Sequence, residues 1–437
     1  MNPTSPSRST PRQAQGTVLI VTIWVVLVLA GLAMVFARST RVTSIVAANH
    51  IAALQAECIL EGAQAYIQTQ LMSEEDSTEP PSYETLPVGE GYFWALRTNP
   101  ASDQELDYGL TDEAAKINLN SASLEMLLKL PDMTAELAAS IIDWRDENTE
   151  LTASGAESEY YLLLPEPYQC KDAPLETVEE LLLIKGGSAD LLYGADTNRN
   201  GIIDDYEDSA GSLGRGFYDY VTVYSVEANT DSQGETRINI SQEGGNQELT
   251  TLLEETFPDK WTFILQSVSQ GNFPNVLAFY QAAKNGGMTE EEFVKIVDRL
   301  TTSDDEELQG LVNVNTAPRE VLLCLPEMEE SDVDALLSKR GDGTDESLQS
   351  IAWVLEALDL DKAVAIGGHI TTRSMQYSAD MVAISGNGRA FKRAKAVFDV
   401  QDETPRLRYF RSLTHLGWPL DSEIRETLRA GEDLDAL

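Results

Sequence analysis

Positive charge is scarce in this sequence. Only 31 Lys and Arg stand against 72 Asp and Glu in 437 residues, for a formal net charge of −41. Backbone binding to nucleic acid needs a cationic surface that releases phosphate counterions, so this balance excludes most nucleic-acid readings. Cysteine is scarcer still: Cys58, Cys170 and Cys324 are too few for a disulfide framework, and the sequence alone leaves a Cys170–Cys324 pair open. The three histidines, His50, His369 and His415, have no partner at metal spacing. There is no HExxH, CxxC, GxSxG or P-loop, so no catalytic constellation can be assembled and the chain reads as non-enzymatic. Disorder is excluded by a 42% hydrophobic content and six Trp, and the length suits about two to three domains.

The first acidic residue is Glu57, and only Arg8, Arg12, Arg38 and Arg41 carry charge before it. Residues 1–16 are polar and rich in Ser, Thr and Pro. From Thr17 to Ala37 the chain is uncharged and strongly apolar, long enough as a helix to span about 31 Å of hydrocarbon. The preceding Arg residues favour a cytoplasmic N-terminus. A cleaved signal ending at Val35-Phe36-Ala37 is the plainer alternative, but the apolar run exceeds the usual signal core. Residues 38–72 lack Pro and place Ile51, Leu54, Cys58, Ile59, Tyr66, Ile67 and Leu71 at three-to-four spacing, which predicts one continuous helix over 17–72.

Downstream, a unit repeats. Lys116-Ile117-Asn118-Leu119-Asn120-Ser121-Ala122-Ser123 opens a short apolar helix, a Leu130-Pro131-Asp132-Met133 turn and a second helix to Arg145. Leu311-Val312-Asn313-Val314-Asn315-Thr316-Ala317-Pro318 opens the same order around Leu325-Pro326-Glu327-Met328, ending at Arg340. A weaker copy starts at Arg237-Ile238-Asn239-Ile240-Ser241. Asn, Ser and Thr satisfy the free N–H groups of a helix start. The unit resembles a helix-hairpin-helix module. In DNA-binding modules the hairpin usually carries Gly; Asp132 and Glu327 here would repel a phosphate, so packing is the better reading.

The N-terminal helix resembles that of the type IV pilin and pseudopilin superfamily, in which prepilin peptidase cuts after a leader-terminal Gly. That implies cleavage between Gly16 and Thr17. An aromatic residue is usual where Thr17 stands, and the usual Glu at the fifth mature position is Val21. Absence of that Glu is typical of the minor pseudopilin K branch of type II secretion systems. Asp112–Asn120, Ile142-Asp143-Trp144-Arg145-Asp146 and Val312–Pro318 are similar to stretches of that family, which carries a helical insertion of such modules.

The resemblance implies an α+β protein. It would combine a pilin-like domain, a long N-terminal helix with an antiparallel sheet, and a large inserted, mostly α-helical domain of helix-hairpin-helix-like units. The expected divisions are a leader (1–16), the membrane-spanning (17–37) and amphipathic (38–72) parts of the helix, a first pilin-like part (73–115), the insert (116–344) and a C-terminal pilin-like part (345–437). Implied partners are other minor and major pseudopilins, the bacterial inner membrane, exported proteins and the outer-membrane secretin. The bulk of the chain would lie in the periplasm, at the pseudopilus tip. The competing reading is a membrane-anchored, competence-type DNA receptor; a secreted calcium-dependent hydrolase is a third.

Residues 378–385, 391–400 and 406–413 are predicted strands, the first two joined by the Asn-Gly hairpin signal at Gly386-Asn387-Gly388. They carry Arg389, Lys392, Arg393, Lys395, Arg406, Arg408 and Arg411, either a solvated sheet face or a surface for an acidic partner. The clearest chemical motif is Asp196-Thr197-Asn198-Arg199-Asn200-Gly201-Ile202-Ile203-Asp204-Asp205-Tyr206-Glu207, which fits the twelve-residue calcium loop. Asp196, Asn198 and Asn200 supply side-chain oxygens, Gly201 the turn, Ile202 a carbonyl, Asp204 a direct or water-mediated contact, and Glu207 a closing carboxylate. Hard oxygen donors suit Ca²⁺. The Gly-rich flanks make this an isolated loop, with an acidic surface turn as the plain alternative.

Overall fold

The computed structural model describes residues 14–72, 82–99, 102, 105–204, 207, 214–241, 247–269, 271–341, 343–401, 404–432 and 434. Most of the expected leader therefore lies outside the described residues.

One unbroken helix, α1 (Ala14–Met72), spans 59 residues, about 88 Å at the usual rise. Its large apolar side chains from Val18 to Phe36 are all exposed, and the helix is long and apolar enough to cross a membrane by length and composition. Its last third packs through Ala52, Ala56, Ile59, Leu60, Ala63 and Ile67. This face is richer in alanine than the three-to-four spacing suggested, and Ile51, Leu54 and Cys58 point outward instead.

Seven strands form an antiparallel sheet beneath it: β1 (Leu86–Val88), β2 (Gly91–Arg97), β3 (Asp107–Tyr108), β4 (Thr111–Asp112), β5 (Gln376–Ile384), β6 (Phe391–Asp399) and β7 (Arg406–Ser412). Their order is β1-β2-β5-β6-β7, with β3 beside β2 and β4 beside β5. The face under α1 presents Ala95, Ala379, Ala383, Ala394 and Ala396, which let the helix approach closely, and Phe93, Met381 and Phe398 fill the gaps. Burying Ile59, Leu60 and Ile67 stabilises this contact by roughly 1.5–3 kcal/mol each. Gly91 is required there, because a Cβ would sit 2.2 Å from the Ile384 carbonyl oxygen and 2.5 Å from Ile59 Cδ1. On the opposite face Trp94, Leu96, Val382 and Ile384 are covered by Leu420 and Leu428.

Between β4 and β5 the chain builds a mostly helical part around one core running from Ile117 to Ile370. Residues 345–370, expected in the C-terminal pilin-like part, thus pack with the helices. The reason is a threefold repeat of parallel two-residue strands. Ile117-Asn118 pairs with Val221-Thr222, Ile238-Asn239 with Leu300-Thr301, and Val312-Asn313 with Ile370-Thr371. The last repeat closes only at Thr371. In each copy the Asn Oδ1 accepts the N–H two residues on, from Asn120, Ser241 and Asn315. Each closing Thr hydroxyl does the same for Tyr224, Ser303 and Arg373.

The first and third copies hold the expected helix pairs, Leu124–Leu128 with Ala135–Arg145 and Arg319–Cys324 with Glu330–Arg340. Their turns place Asp132 (φ 54) and Glu327 (φ 56) in the left-handed region that favours glycine. Arg145 donates to the carbonyls of Leu119 and Ala122, and Arg340 to those of Val314 and Ala317, tying each second helix to its own Asn turn.

The two parts meet over buried polar groups. Asp112 Oδ2 accepts from Asn313 Nδ2 at 3.2 Å and from the hydroxyls of Thr316 and Ser374 at 2.5 Å. Glu113 is bonded by Lys116 Nζ at 2.9 Å, Ser378 Oγ at 2.6 Å and the Thr222 hydroxyl. Burial alone would raise Glu113, but Lys116, Lys395 and these hydroxyls hold it down to about 2.

Candidate metal centre

The loop Asp196–Glu207 follows the short helix Ala189–Tyr193, which is stopped by Gly194 at φ 62. Gly194 bridges to Arg215, and Ala195 N–H bonds the Gly214 carbonyl at 3.0 Å, so both ends of the loop are pinned together. Asp205, Tyr206 and Asp208 lie outside the described residues.

The structure brings the expected side chains into one turn. Asp196 accepts the Asn200 N–H at 3.1 Å and the Gly201 N–H at 2.9 Å. Asn198 Oδ1 accepts the Asn200 N–H at 2.9 Å, and Asn200 Oδ1 accepts the Ile202 N–H at 2.9 Å. Both Asn amides donate to Asp204 Oδ2, at 2.8 Å from Asn198 and 3.3 Å from Asn200. Glu207 closes the turn: Oε1 accepts from the backbone N–H groups of Thr197 and Asn198 and from the Thr197 hydroxyl, and Oε2 from the Asp204 N–H. Gly201 has φ 88, as the sixth position needs.

Burial pushes Asp196 up to about 7, and the Asp219 and Glu207 carboxylates add to this against the Gly201 and Asn200 N–H groups. Asp196 and Glu207 are held by backbone N–H groups of the turn, and the donor set is oxygen alone, with no sulfur or imidazole, which is the chemistry that suits a hard divalent cation.

Sequence reading missed the loop's support. Arg393, assigned above to the basic strands, is fully buried. It donates through Nη1 to the Asn198 carbonyl at 2.7 Å and through Nη2 to the Arg199 carbonyl. Arg215 reaches the Gly201 carbonyl at 2.9 Å, and Arg199 lies over the Tyr193 ring at 3.7 Å. The remaining basic side chains are also largely used within the chain. Lys392 pairs with Glu57, Arg408 with Asp399 and Arg411 with Glu179, and Lys395 donates to the Tyr218 hydroxyl at 3.0 Å. Alternation along β6 and β7 signals which face a residue takes, but not which acid waits there. Cys170 and Cys324 are free, buried thiols, and Cys58 is a free, exposed one.

Residues 108–194 match the family model described as Type II secretion system (T2SS), protein K. This stretch is similar to the type II secretion protein K family. The matched stretch covers the first Asn turn and the first helix pair, where two of the similar stretches lie, but neither the N-terminal helix nor Val312–Pro318, and it stops just short of Asp196. The chain is also similar to a solved structure described as the GspK-GspI-GspJ complex from the enterotoxigenic Escherichia coli type 2 secretion system. The identity is 12%, with 85% of this chain and 98% of that chain covered, at a TM-score of 0.40. No curated protein matches the chain.

Proposed function

We propose that this chain is a structural minor pseudopilin of a type II secretion system. The observation that carries the reading is α1: one rod whose first half is apolar and bare, and whose last third is packed on an antiparallel sheet, in a chain with a protein K region. The bare half anchors the chain in the inner membrane and packs into a helical filament core; the sheet and the helical part form a periplasmic head. Such a bulky head suits the tip of the pseudopilus, where no subunit is added above it. Other minor and major pseudopilins are the expected partners, with exported proteins and the outer-membrane secretin facing the head. Prepilin peptidase would cut after Gly16. The loop Asp196–Glu207 holds Ca²⁺, with Asp196, Asn198, Asn200, Asp204, Glu207 and the Ile202 carbonyl as ligands, and acts as a structural clamp. No catalytic step is assigned.

N-terminal sequencing of membrane-extracted protein tests the mechanism. A mature start at Thr17, with the protein retained in the membrane and co-purifying with other pseudopilins, is expected. A start at Arg38 means an ordinary secreted protein and ends the reading.

A further inference from the structure

The segment after the first helix pair leaves a cluster of large apolar side chains in water. Leu163 is 87% exposed, Leu162 52% and Leu183 50%, with Leu182 at 41% and Tyr160 at 40%. They lie on two short turns that are locked against each other. In the helix Ser158–Tyr161, Tyr161 points inward, where its ring stacks on Tyr168 at 5.3 Å and meets Trp144 edge-on at 5.2 Å. The turn continues as Leu162 N–H bonds the Ser158 carbonyl at 3.0 Å and Leu163 N–H the Tyr160 carbonyl at 3.1 Å, so both leucines fall outward. In the turn Val178–Leu183, Val178 and Leu181 are buried and Leu182 and Leu183 face out. The Tyr168 hydroxyl donates to the Leu183 carbonyl at 2.6 Å, and the Lys185 N–H to the Tyr161 hydroxyl at 3.2 Å. The Lys185 ammonium stands 5.2 Å from the Tyr160 ring centre. Exposed apolar side chains gathered in this way mark an interaction surface, and a frame fixed in advance lowers the ordering cost of binding.

The border of the cluster is acidic. Glu159 and Glu166 are exposed on the same segment, and Glu136 is exposed beside Lys185. The neighbouring cations are engaged within the chain: Lys185 with Glu136 at 3.1 Å and with the carbonyls of Ser154 and Gly155, and Lys171 with Glu180 at 2.9 Å. This border selects the occupant. A second copy would bring two acidic rims together in a chain of net charge −41, and an anionic lipid surface would be repelled in the same way.

We propose that this surface docks a basic amphipathic helix of another protein, with its apolar stripe on Leu162, Leu163 and Leu183 and its Lys or Arg flanks against Glu159 and Glu166. The proposal does not depend on where the chain sits in a pseudopilus.

A labelled helical peptide of Leu and Lys is the probe, titrated with the full chain in phosphatidylcholine nanodiscs against empty discs. Leu163→Ser is expected to bind it about tenfold more weakly than the parent, the scale of one buried leucine. Leu183→Ser should give a similar loss, and Leu163→Lys a larger one. Glu159→Gln combined with Glu166→Gln should lower both the affinity and its salt dependence. Both leucines are half exposed or more, so these variants should keep the melting midpoint of the parent. The proposal is overturned if the parent does not bind the peptide, or if Leu163→Ser and Leu183→Ser bind it as tightly, which would mean that it follows bulk charge alone. Tighter binding of a matching Leu and Glu peptide would overturn the basic character of the partner. Self-association of the parent that Leu163→Ser abolishes would assign the surface to a second copy instead. Binding to phosphatidylglycerol vesicles that Leu163→Ser abolishes would assign it to a membrane, and either result overturns the proposal.

Discussion

Arg393 on β6 reaches diagonally across the strand pair to Asp380 on β5, with Nε at 2.9 Å from Oδ1 and Nη2 at 2.6 Å from Oδ2, while its Nη1 holds the Asn198 carbonyl. One guanidinium therefore joins the pilin-like sheet to the candidate calcium loop. Its side chain is fully enclosed and that of Asp380 is 18% exposed, so the pair is shielded from water on one side. Removing one partner of a buried ion pair strands the other, at a cost of about 3–5 kcal/mol. Arg393→Met should lower stability by that order in a denaturant titration and also weaken the calcium response of the loop. Arg408→Met, which removes a half-exposed arginine from the buried Asp399 on the same sheet, should cost less than Arg393→Met, because water can replace the lost guanidinium on its exposed side.

Calcium should raise the melting temperature of the protein. A ligand that binds only the folded state at about 100 times its Kd adds roughly 2.7 kcal/mol. Mg²⁺ should give a smaller rise, since it gives up its waters reluctantly. Glu207→Gln should remove most of the rise that belongs to the loop, whereas Asp205→Asn, at a non-ligand position, should change it little. Because burial and neighbouring carboxylates push Asp196 up to about 7, protons compete with the ion there. The calcium-induced shift should therefore be smaller at pH 6 than at pH 8, and a pH-independent shift would exclude Asp196 as a ligand.

Glu113 supplies a pH test of the junction between sheet and helices. Its folded value, about 2, lies below its ordinary value of 4.5, so its contribution is fully present above about 4.5 and is lost as pH falls toward 2. The contribution is on the order of 3 kcal/mol. Glu113→Gln should lower stability at pH 7 and flatten the acid side of the stability curve. The difference from the parent protein should shrink between pH 5 and pH 3.

The hairpin tips make two further expectations. Glu327 sits at φ 56, where an L side chain costs about 1–2 kcal/mol. Glu327→Asn should recover some tenths of a kcal/mol up to about 1, read as a higher melting midpoint, because Asn tolerates this region. The parent protein should give no mobility shift with duplex DNA at physiological salt, since its tips are acidic and its net charge is −41. Salt-sensitive binding at micromolar concentration would return the DNA-receptor reading.

The parts legible in the sequence were those with local signals. The helix α1 follows from an unbroken apolar and proline-free run, β5 and β6 from alternation about Asn387-Gly388, and the first and third repeats from their Asn turns. The loop Asp196–Glu207 was legible because each position has its own chemical requirement. What stayed hidden depends on distant pairing. Val221-Thr222, Leu300-Thr301 and Ile370-Thr371 are two residues each, too short to show a period, so the true end of the helical core near Ile370 had no local mark. The partners of Arg393 and Arg411 lie far along the chain, and Glu157, Cys170 and Asp172 meet only after the turns between them have formed.

The position of the helical part between β4 and β5 dictates an order of events when the chain is made. β5 pairs with both β2 and β4, so the centre of the sheet is missing until everything from Glu113 to Met375 has been synthesised. Until then the alanine-rich face of α1 has only the β2 hairpin beside it. The helical part, closed on itself by its three parallel pairings, can fold first and bring Asp112 and Gln376 to the same edge, which shortens the loop that the late strands must close. Because α1 emerges before these strands, a membrane-held helix would wait for roughly the last seventh of the chain, and a subunit released early would present an open strand edge to its neighbours.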